Sequence, residues 1–404
     1  MIRYLTAGES HGEALIGIVE GVPAHLPLTA EDINTHLARR WLGYGRGGRS
    51  KIENDRVHIF SGIRFGKTLG SPISFRLDNG AYEKDRAGWP EKMAIEGDPP
   101  EDMERVTLPR PGHADLAGMQ KYEFDDIRPV IDRSSARETA MRVACCSVAR
   151  RLLNAFGITV GSHVVRIGDV GFDSAEAWVE RRNALLREGG AQALYETADE
   201  SATRMIDPDM TERCIEHIED TKKARDSLGG IYEVVATGVP PGLGSYTHWE
   251  HRLDGKLAQA ICSIQAQKAA EIGDGVRNAS RPGSQVHDEI IHGEERDIAE
   301  GPYARRSNGA GGIEGGTTNG MPIVVRGYMK PIPTLIKPLD SVDTATGEAQ
   351  PTRYERSDIT SVPAASTVAE ATVAYVLANA FLDTYGGDTL PALRRHYRAD
   401  QEAE

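Results

Sequence analysis

Four cysteines in 404 residues are too few for a disulfide framework, and two of them, Cys145 and Cys146, are adjacent. They lack metal-ligand spacing and read as small core residues. Long hydrophobic runs are missing as well. None approaches the ~18 residues of a membrane span, and MIRYLTAGESHG begins without a basic leader or an apolar segment. The expectation is a soluble, cytoplasmic chain with no membrane partner. Basic residues are in deficit, 47 against 60 acidic, for a net charge of −13. That balance argues against a nucleic-acid partner, because like charge repels phosphate at long range. The usual dinucleotide fingerprint is absent too, since no G-x-G-x-x-G follows a strand and opens a helix with a downstream acid. His248 and His251 would share a helix face, but no third ligand accompanies them, and no metal is expected.

What is present suits a single domain over residues 1–404, since 39% hydrophobic residues can furnish a sizeable core. The pattern predicts a short strand after residue 3, a second at Leu15–Val19, and strands near 56–63 and 71–77. Thr29, followed by acids, caps a helix over 29–41. Helices at 174–197 and 207–226 are charged along one face and read as peripheral. A strand at 158–170, a helix from Asp254 to Ala270, a strand from Met321 to Arg326 and an apolar helix over 366–385 complete the pattern. Stretches near 43–55, 79–107 and 338–353 lack periodicity and read as mobile loops, the second lid-like. Gly17-Ile18-Val19-Glu20 before Gly21-Val22-Pro23 echoes Gly230-Ile231-Tyr232-Glu233 before Gly238-Val239-Pro240, which suggests an internal repeat.

The stretch Arg133-Ser134-Ser135-Ala136-Arg137-Glu138-Thr139 closes an irregular segment and opens a long helix that Gly157 ends. Ser135 and Glu138 have capping-box spacing, and arginines flank a first turn with unpaired N–H groups. Either an anion binds there or the arginines are simply solvated. The ACCSVA run gives this helix a face of small side chains for close packing. His11 lies between glycines in GESHG, and His113 follows Pro111-Gly112. A lone histidine is more often structural, but two held on turns point to a catalytic pair. Arg46 and Arg49, among four glycines, can wrap an oxyanion or form a solvated loop. SNGAGGIEGGTTNG has six glycines, which suit main chain lying against a flat ligand or phosphate, or else a turn-rich linker.

Taken in order over residues 8–358, GESHGEALIGIVEGVPA, RPGHAD, RSSARETAMRVA, SNGAGGIEGGTTNG, KPIPT and RSD closely resemble the chorismate synthase family. The resemblance implies an α+β fold with helices sandwiched between antiparallel sheets, usually as a homotetramer. It implies a lyase that converts 5-enolpyruvylshikimate 3-phosphate to chorismate and phosphate by anti-1,4-elimination, with reduced FMN as cofactor. Carried over residue by residue, His11 is associated with protonating the reduced flavin and His113 with the leaving group. Asp358 is linked to removal of the ring proton. FMN contacts fall on Arg133, Ser134, Ser135, Gln265, Ala266, Gly315, Lys330, Pro331, Ile332, Pro333, Thr334 and Arg356. Arg40 and Arg46 match arginines assigned to a phosphate-bearing ligand, substrate or NADP, with Arg49 and Arg137 as nearby substrate candidates.

A phosphate and two carboxylates on the substrate require an acidic chain to gather cations at one site. Expelling phosphate also needs electron density that no side chain donates, which is why a flavin makes sense. One rival is an NADPH-dependent flavin reductase, or a bifunctional enzyme with that added activity and NADPH as reductant. A non-enzymatic flavin carrier would have no use for two histidines and an aspartate. The chain departs from its relatives at Cys145-Cys146, where many read Ala-Gly, and at Ala269, where a glycine is usual.

Overall fold

The computed structural model describes residues 1–45, 55–84, 88–172, 174–293, 298–352 and 358–402. Arg46, Arg49 and Arg356, with most of the expected loop at 43–55, lie outside the described residues. The chain opens with β1 (Arg3–Ala7), β2 (Ala14–Glu20) and α1 (Ala30–Arg39). Thr29 caps α1 with a full capping box, its backbone N–H donating to the Asp32 carboxylate at 2.7 Å. Then come β3 (His58–Ile59), the hairpin strands β4 (Ile63–Arg64) and β5 (Lys67–Thr68), and β6 (Ile73–Asp78). An antiparallel sheet of order β1-β2-β6-β3 results. Period-2 alternation turns Leu15, Val19, Ile73, Phe75 and Leu77 inward, all of them buried.

The supposed lid carries two single-turn helices, α2 (Gly80–Glu83) and α3 (Trp89–Lys92). A helical hairpin follows, α4 (Asp115–Tyr122) and α5 (Arg128–Ser134), and then the long α6 (Glu138–Asn154). The second half begins with β7 (Thr159–Ile167), β8 (Val170–Gly171), α7 (Ala175–Glu200), α8 (Pro208–Lys223), β9 (Gly230–Thr237), α9 (Leu253–Cys262), β10 (Gln267–Ile272) and α10 (Gly275–Asn278). It continues through the hairpins β11 (Ile290–His292) with β12 (Tyr303–Arg305) and β13 (Ile313–Glu314) with β14 (Thr317–Thr318), and through β15 (Ile323–Met329). A last hairpin, β16 (Asp340–Val342) with β17 (Ala349–Pro351), precedes α11 (Val362–Tyr385) and α12 (Leu390–Gln401). The second sheet is antiparallel with order β10-β15-β9-β7-β8.

Helices lie between the two sheets, as the α+β expectation had it. α6 packs on β1, β2 and β6, α11 packs on β7, β9 and β15, and the two helices pack on each other. Cys145 and Cys146 are buried on α6. The extra volume fits because Gly17 of β2 faces it: a Cβ there would come within 2.6 Å of the Cys145 sulfur. α11 is long and apolar enough to cross a membrane and is mostly buried inside the protein, the behaviour of a central core helix.

The repeat is far more extensive than its sequence echo. Thr68 Oγ1 donates to the Pro23 carbonyl at 2.6 Å and accepts from Leu26 N–H at 3.0 Å. Thr318 Oγ1 does the same with Pro240 at 2.7 Å and Leu243 at 2.8 Å. The hairpins β4–β5 and β13–β14 are therefore equivalent, each tied to the turn after a GVP. Val19 opposite Ile73 corresponds to Ala236 opposite Ile323. Gly17–Glu20 thus matches 234–237, four residues later than the sequence echo placed it.

Four expectations are corrected. Ser135 and Glu138 form no capping box, because a helix, α5, precedes and Ser135 is its C-cap; Ser135 Oγ accepts from Arg137 N–H at 3.2 Å. The helix expected over Asp254–Ala270 ends at Cys262, since Gln267–Ile272 is drawn into the sheet beside β15. Ala269 sits in that strand just past a register shift and outside the left-handed region, so it needs no glycine. Residues within 338–353 form the β16–β17 hairpin. The glycine-rich run does not face a ligand at its start: Gly309 and Ala310 N–H groups donate to the Asp288 carboxylate at 2.8 and 2.9 Å.

Candidate active site

The GESHG turn between β1 and β2 is clamped from below by Asn79. Asn79 Nδ2 donates to the Glu9 and Gly12 carbonyls at 3.1 and 2.8 Å, and its Oδ1 accepts from Arg137 Nε at 3.0 Å. His11 Nδ1 lies 2.5 Å from Asp132 Oδ1, and Ser10 Oγ donates to the same oxygen at 2.8 Å. Trp89 of α3 stacks on the imidazole with ring centroids 4.0 Å apart, so the lid-like segment rests on a candidate catalytic residue.

His113 is held the same way. Its Nδ1 bonds the fully buried Asp115 carboxylate, which Arg110 also engages through Nε at 2.7 Å. Burial alone would raise the Asp115 carboxyl, but the bonds from His113 and Arg110 outweigh it and hold the group well below the usual carboxylate range. The α4–α5 hairpin relates the two carboxylates that hold these histidines. α5 returns along α4, with Gly118 against Val130, so that Asp115 at the start of α4 and Asp132 near the end of α5 come to the same end.

Among the described residues, the flavin positions implied by the resemblance form a continuous chain of contacts, with one exception. Arg133 donates to the Thr6 and Gly8 carbonyls at 2.9 and 3.0 Å, placing it beside the GESHG turn. Glu138 accepts from Thr6 Oγ1 at 3.0 Å and from Gln265 Nε2 at 3.1 Å. Burial opposes ionisation of Glu138, yet Arg142 and these hydrogen bonds keep its carboxyl below the ordinary value. Lys330 N–H donates to the Ala266 carbonyl at 3.0 Å, and Lys330 Nζ donates to the Gly112 carbonyl beside His113. Ile332 accepts from Ser227 Oγ at 2.8 Å. Leu228 N–H, next in the chain, donates to Ile359 at 2.8 Å, which brings Asp358 alongside KPIPT. Asp358 Oδ2 accepts from Ser361 Oγ at 3.0 Å, and Ser361, not Asp358, is the N-cap of α11. Pro331, Pro333 and Thr334 continue that segment, and Ser134 and Ser135 follow Arg133. Gly315 stands apart. Its neighbour Gly316 accepts from Leu253 at the start of α9, whereas Gln265 and Ala266 follow the end of that helix, about 15 Å away along a 10-residue helix.

Arg40 and Arg137 are not open to solvent. Arg40 is 5% exposed and donates to Thr139 Oγ1 at 3.0 Å and the Ala136 carbonyl at 2.9 Å. Arg137, 4% exposed, pairs with buried Asp55 and with Asn79. Their described roles are to brace the start of α6 and the GESHG turn. Sequence reasoning missed Asn79, Trp89, Asp115 and Asp132. Asp115 had a signal, as the last letter of RPGHAD; Asp132 stands just before Arg133 in what looked irregular. The other two had none.

The residues present fit a flavin. Gln265 Oε1 is buried with no hydrogen-bond donor among the described residues, an acceptor that a ring N–H or a ribityl hydroxyl would satisfy.

The family model described as chorismate synthase matches residues 2–382. A chorismate synthase of Salinibacter ruber is 81% identical over 404 residues, covering 100% of this chain and 99% of the relative. One from Chlorobaculum tepidum is 52% identical over 402 residues, covering 99% and 98%. A crystal structure of chorismate synthase superimposes with a TM-score of 0.75 at 40% identity, covering 98% of this chain and 96% of that one.

Proposed function

The chain belongs to the chorismate synthase family, and we propose how its own residues carry out the reaction. It is a carbon–oxygen lyase that converts 5-enolpyruvylshikimate 3-phosphate to chorismate and phosphate, the last step of the shikimate pathway. The observation that carries the reading is two histidines, each held through Nδ1 by a buried carboxylate, at one end of the α4–α5 hairpin. In the elimination a ring C–H bond and the C–O bond to phosphate break, and a new ring double bond forms. His113 places its other nitrogen for the departing phosphate and neutralises charge there. Asp358, beside the KPIPT segment, receives the ring proton. His11 holds a proton next to the flavin site formed by Arg133, Ser134, Ser135, Gln265, Ala266 and Lys330 to Thr334. Reduced FMN, when bound, supplies electron density to the substrate ring. The α3 segment, seated on His11 through Trp89, excludes water.

Arg46, Arg49 and Arg356 are assigned to the anionic groups of substrate and flavin on the strength of the resemblance. Arg46→Ala and Arg49→Ala should each weaken substrate binding by about 1.5–3 kcal/mol, the range for charge-assisted contacts. Equilibrium binding and thermal melting together check this: a sharp drop in melting with unchanged affinity would make the arginines structural. Oxidised FMN should bind loosely, and reduced FMN more tightly with substrate present, because a proton on His11 favours an anionic reduced ring. Titration in both redox states reads this directly, and equal affinities would remove His11 from that role.

A homotetramer is part of the same proposal. Leu5, Ile16, Ile18 and Phe60 form an exposed apolar outer face on the first sheet, where α7 covers the matching face of the second. A cytoplasmic location accompanies it, and NADPH remains the candidate reductant for the flavin. The deciding assay is anaerobic phosphate release from the substrate with photoreduced FMN. Release that requires the reduced flavin supports the reading, and flavin reduction by NADPH without phosphate release would replace it with a reductase.

A further inference from the structure

We infer that Asp132 is the positioning residue of His11, fixing the neutral imidazole as the Nδ1–H tautomer so that Nε2 is the nitrogen that gives or takes a proton. This rests on His11 acting in the reaction as set out above. The Asp132 side chain is fully buried, and its Oδ1 sits 2.5 Å from His11 Nδ1. An ionised carboxylate can only accept, so the shared proton stays on the ring nitrogen. Ser10 Oγ gives its hydrogen to that same oxygen at 2.8 Å. It therefore cannot donate to Nδ1, 3.1 Å away, and stabilise the other tautomer. Ser10 N–H also donates to the Asp132 carbonyl at 3.0 Å, which locks the GESHG turn to α5.

The ring is held by its face as well as by its edge. Trp89 lies on it at 4.0 Å and 21°, with the Arg128 guanidinium over the indole at 5.2 Å and the Lys92 ammonium at 5.5 Å. Rotation of the imidazole is blocked, and its side chain keeps 21% exposure. A purely structural role does not account for the acid. An asparagine would satisfy both Ser10 and the turn, whereas the carboxylate leaves Oδ2 buried without a hydrogen bond among the described residues, an arrangement that costs stability. A charged acceptor facing Nδ1 is what the amide lacks.

The test is 15N NMR of histidine-labelled protein at a pH where the ring is neutral, the His11 signal being assigned by its loss in His11→Gln. Wild type should show a proton on Nδ1. In Asp132→Asn the amide can donate to Nδ1, and the signal should move to the Nε2–H form. Turnover of Asp132→Asn should fall by about 10²–10⁴-fold, as when an aspartate that fixes a catalytic histidine is made an amide, with KM for substrate within about threefold. A merely structural contact would not move the tautomer. A wild-type Nε2–H ring overturns the inference without any need for the variant to fold, and so does an unchanged tautomer in folded Asp132→Asn. Full turnover in His11→Gln would instead overturn the catalytic role of His11, and the rate effect with it, leaving the tautomer result to stand on its own.

Discussion

Glu370→Ala should lower folding stability by about 3–5 kcal/mol, the range for stripping one partner from a buried ion cluster. Glu370 is fully buried on α11, where its carboxylate meets Arg39 Nη2 of α1 at 2.8 Å and Arg150 Nη1 of α6 at 3.4 Å. Arg204 lies in the same cluster, bonded to Ser366 Oγ at 2.9 Å and paired with Asp199, which also pairs with Arg39. Three guanidiniums thus share two carboxylates. Without Glu370, Asp199 alone among the described residues remains to balance them. Burial would raise the Glu370 carboxyl, but Arg39 and Arg150 outweigh it and hold it down at about 2, while burial pushes Arg204 down to about 9. Urea unfolding of wild type and variant reads the difference as a shift of midpoint. A change below about 0.5 kcal/mol would mean that the cluster relaxes or fills with water.

The same cluster sets an acid limit whose direction is fixed. A carboxyl depressed in the folded state stabilises above its unfolded value of 4.5, and that contribution drains away as the pH falls toward about 2. His36, next to Arg39, is pushed well below the ordinary 6.5 by burial first and then by Arg150 and Arg39. It binds its proton more readily unfolded, so stability also declines as the pH drops below about 6.5. Two stages of acid loss are expected in wild type. The lower one should be smaller in Glu370→Ala, what is left of it coming from other depressed carboxyls such as Asp115 and Glu138.

Much of this architecture is legible in the chain because local chemistry and tertiary context agree there. Thr29 with Asp32 announces α1, Gly157 with its positive φ stops α6, and the GVP turns announce the repeat. Disagreement arises where a partner element decides. Gln267–Ile272 has helical composition, but the open edge of β15 takes it as a strand once Ala266 turns in the left-handed region. Ser135 and Glu138 have the spacing of a capping box, yet Thr6 and Gln265, distant in sequence, claim the glutamate. The second half of the repeat is written in the chain as well, since Gly62, Ile63, Gly66, Thr68, Gly70, Pro72 and Ile73 recur at the same spacing as Gly312, Ile313, Gly316, Thr318, Gly320, Pro322 and Ile323. The shared threonine hydroxyl bonds the same two backbone groups in each half.

The site shows the same division. Its histidines are visible because glycine and proline set them on turns. Their carboxylates are visible only once α4 and α5 fold back on each other. The bracing contacts of Arg40 and Arg137 at the start of α6 and the GESHG turn are likewise not legible from residue type, since an arginine that braces a turn and one that grips a phosphate look alike in sequence.

Asp358→Asn should reduce turnover by about 10²–10⁴-fold, the usual loss when a general base is removed. FMN affinity and melting should stay near wild type, because the group is close to isosteric and its described hydrogen bond from Ser361 Oγ at 3.0 Å can be accepted by an amide oxygen. A helix-capping role would predict the opposite pattern, with normal turnover and a loss of only a few tenths of a kcal/mol, as Asn and Asp cap about equally well. That alternative is already disfavoured by position, since Ser361 takes the cap and α11 begins at Val362. Single-turnover kinetics with photoreduced FMN separate the chemical step from product release. If Asp358 takes the ring proton, the variant should also show a larger kinetic isotope effect with substrate deuterated at the carbon that loses it, because proton removal then limits the rate more fully. Near-normal turnover would remove Asp358 from catalysis. A low rate with no isotope effect would leave it holding substrate or flavin in place.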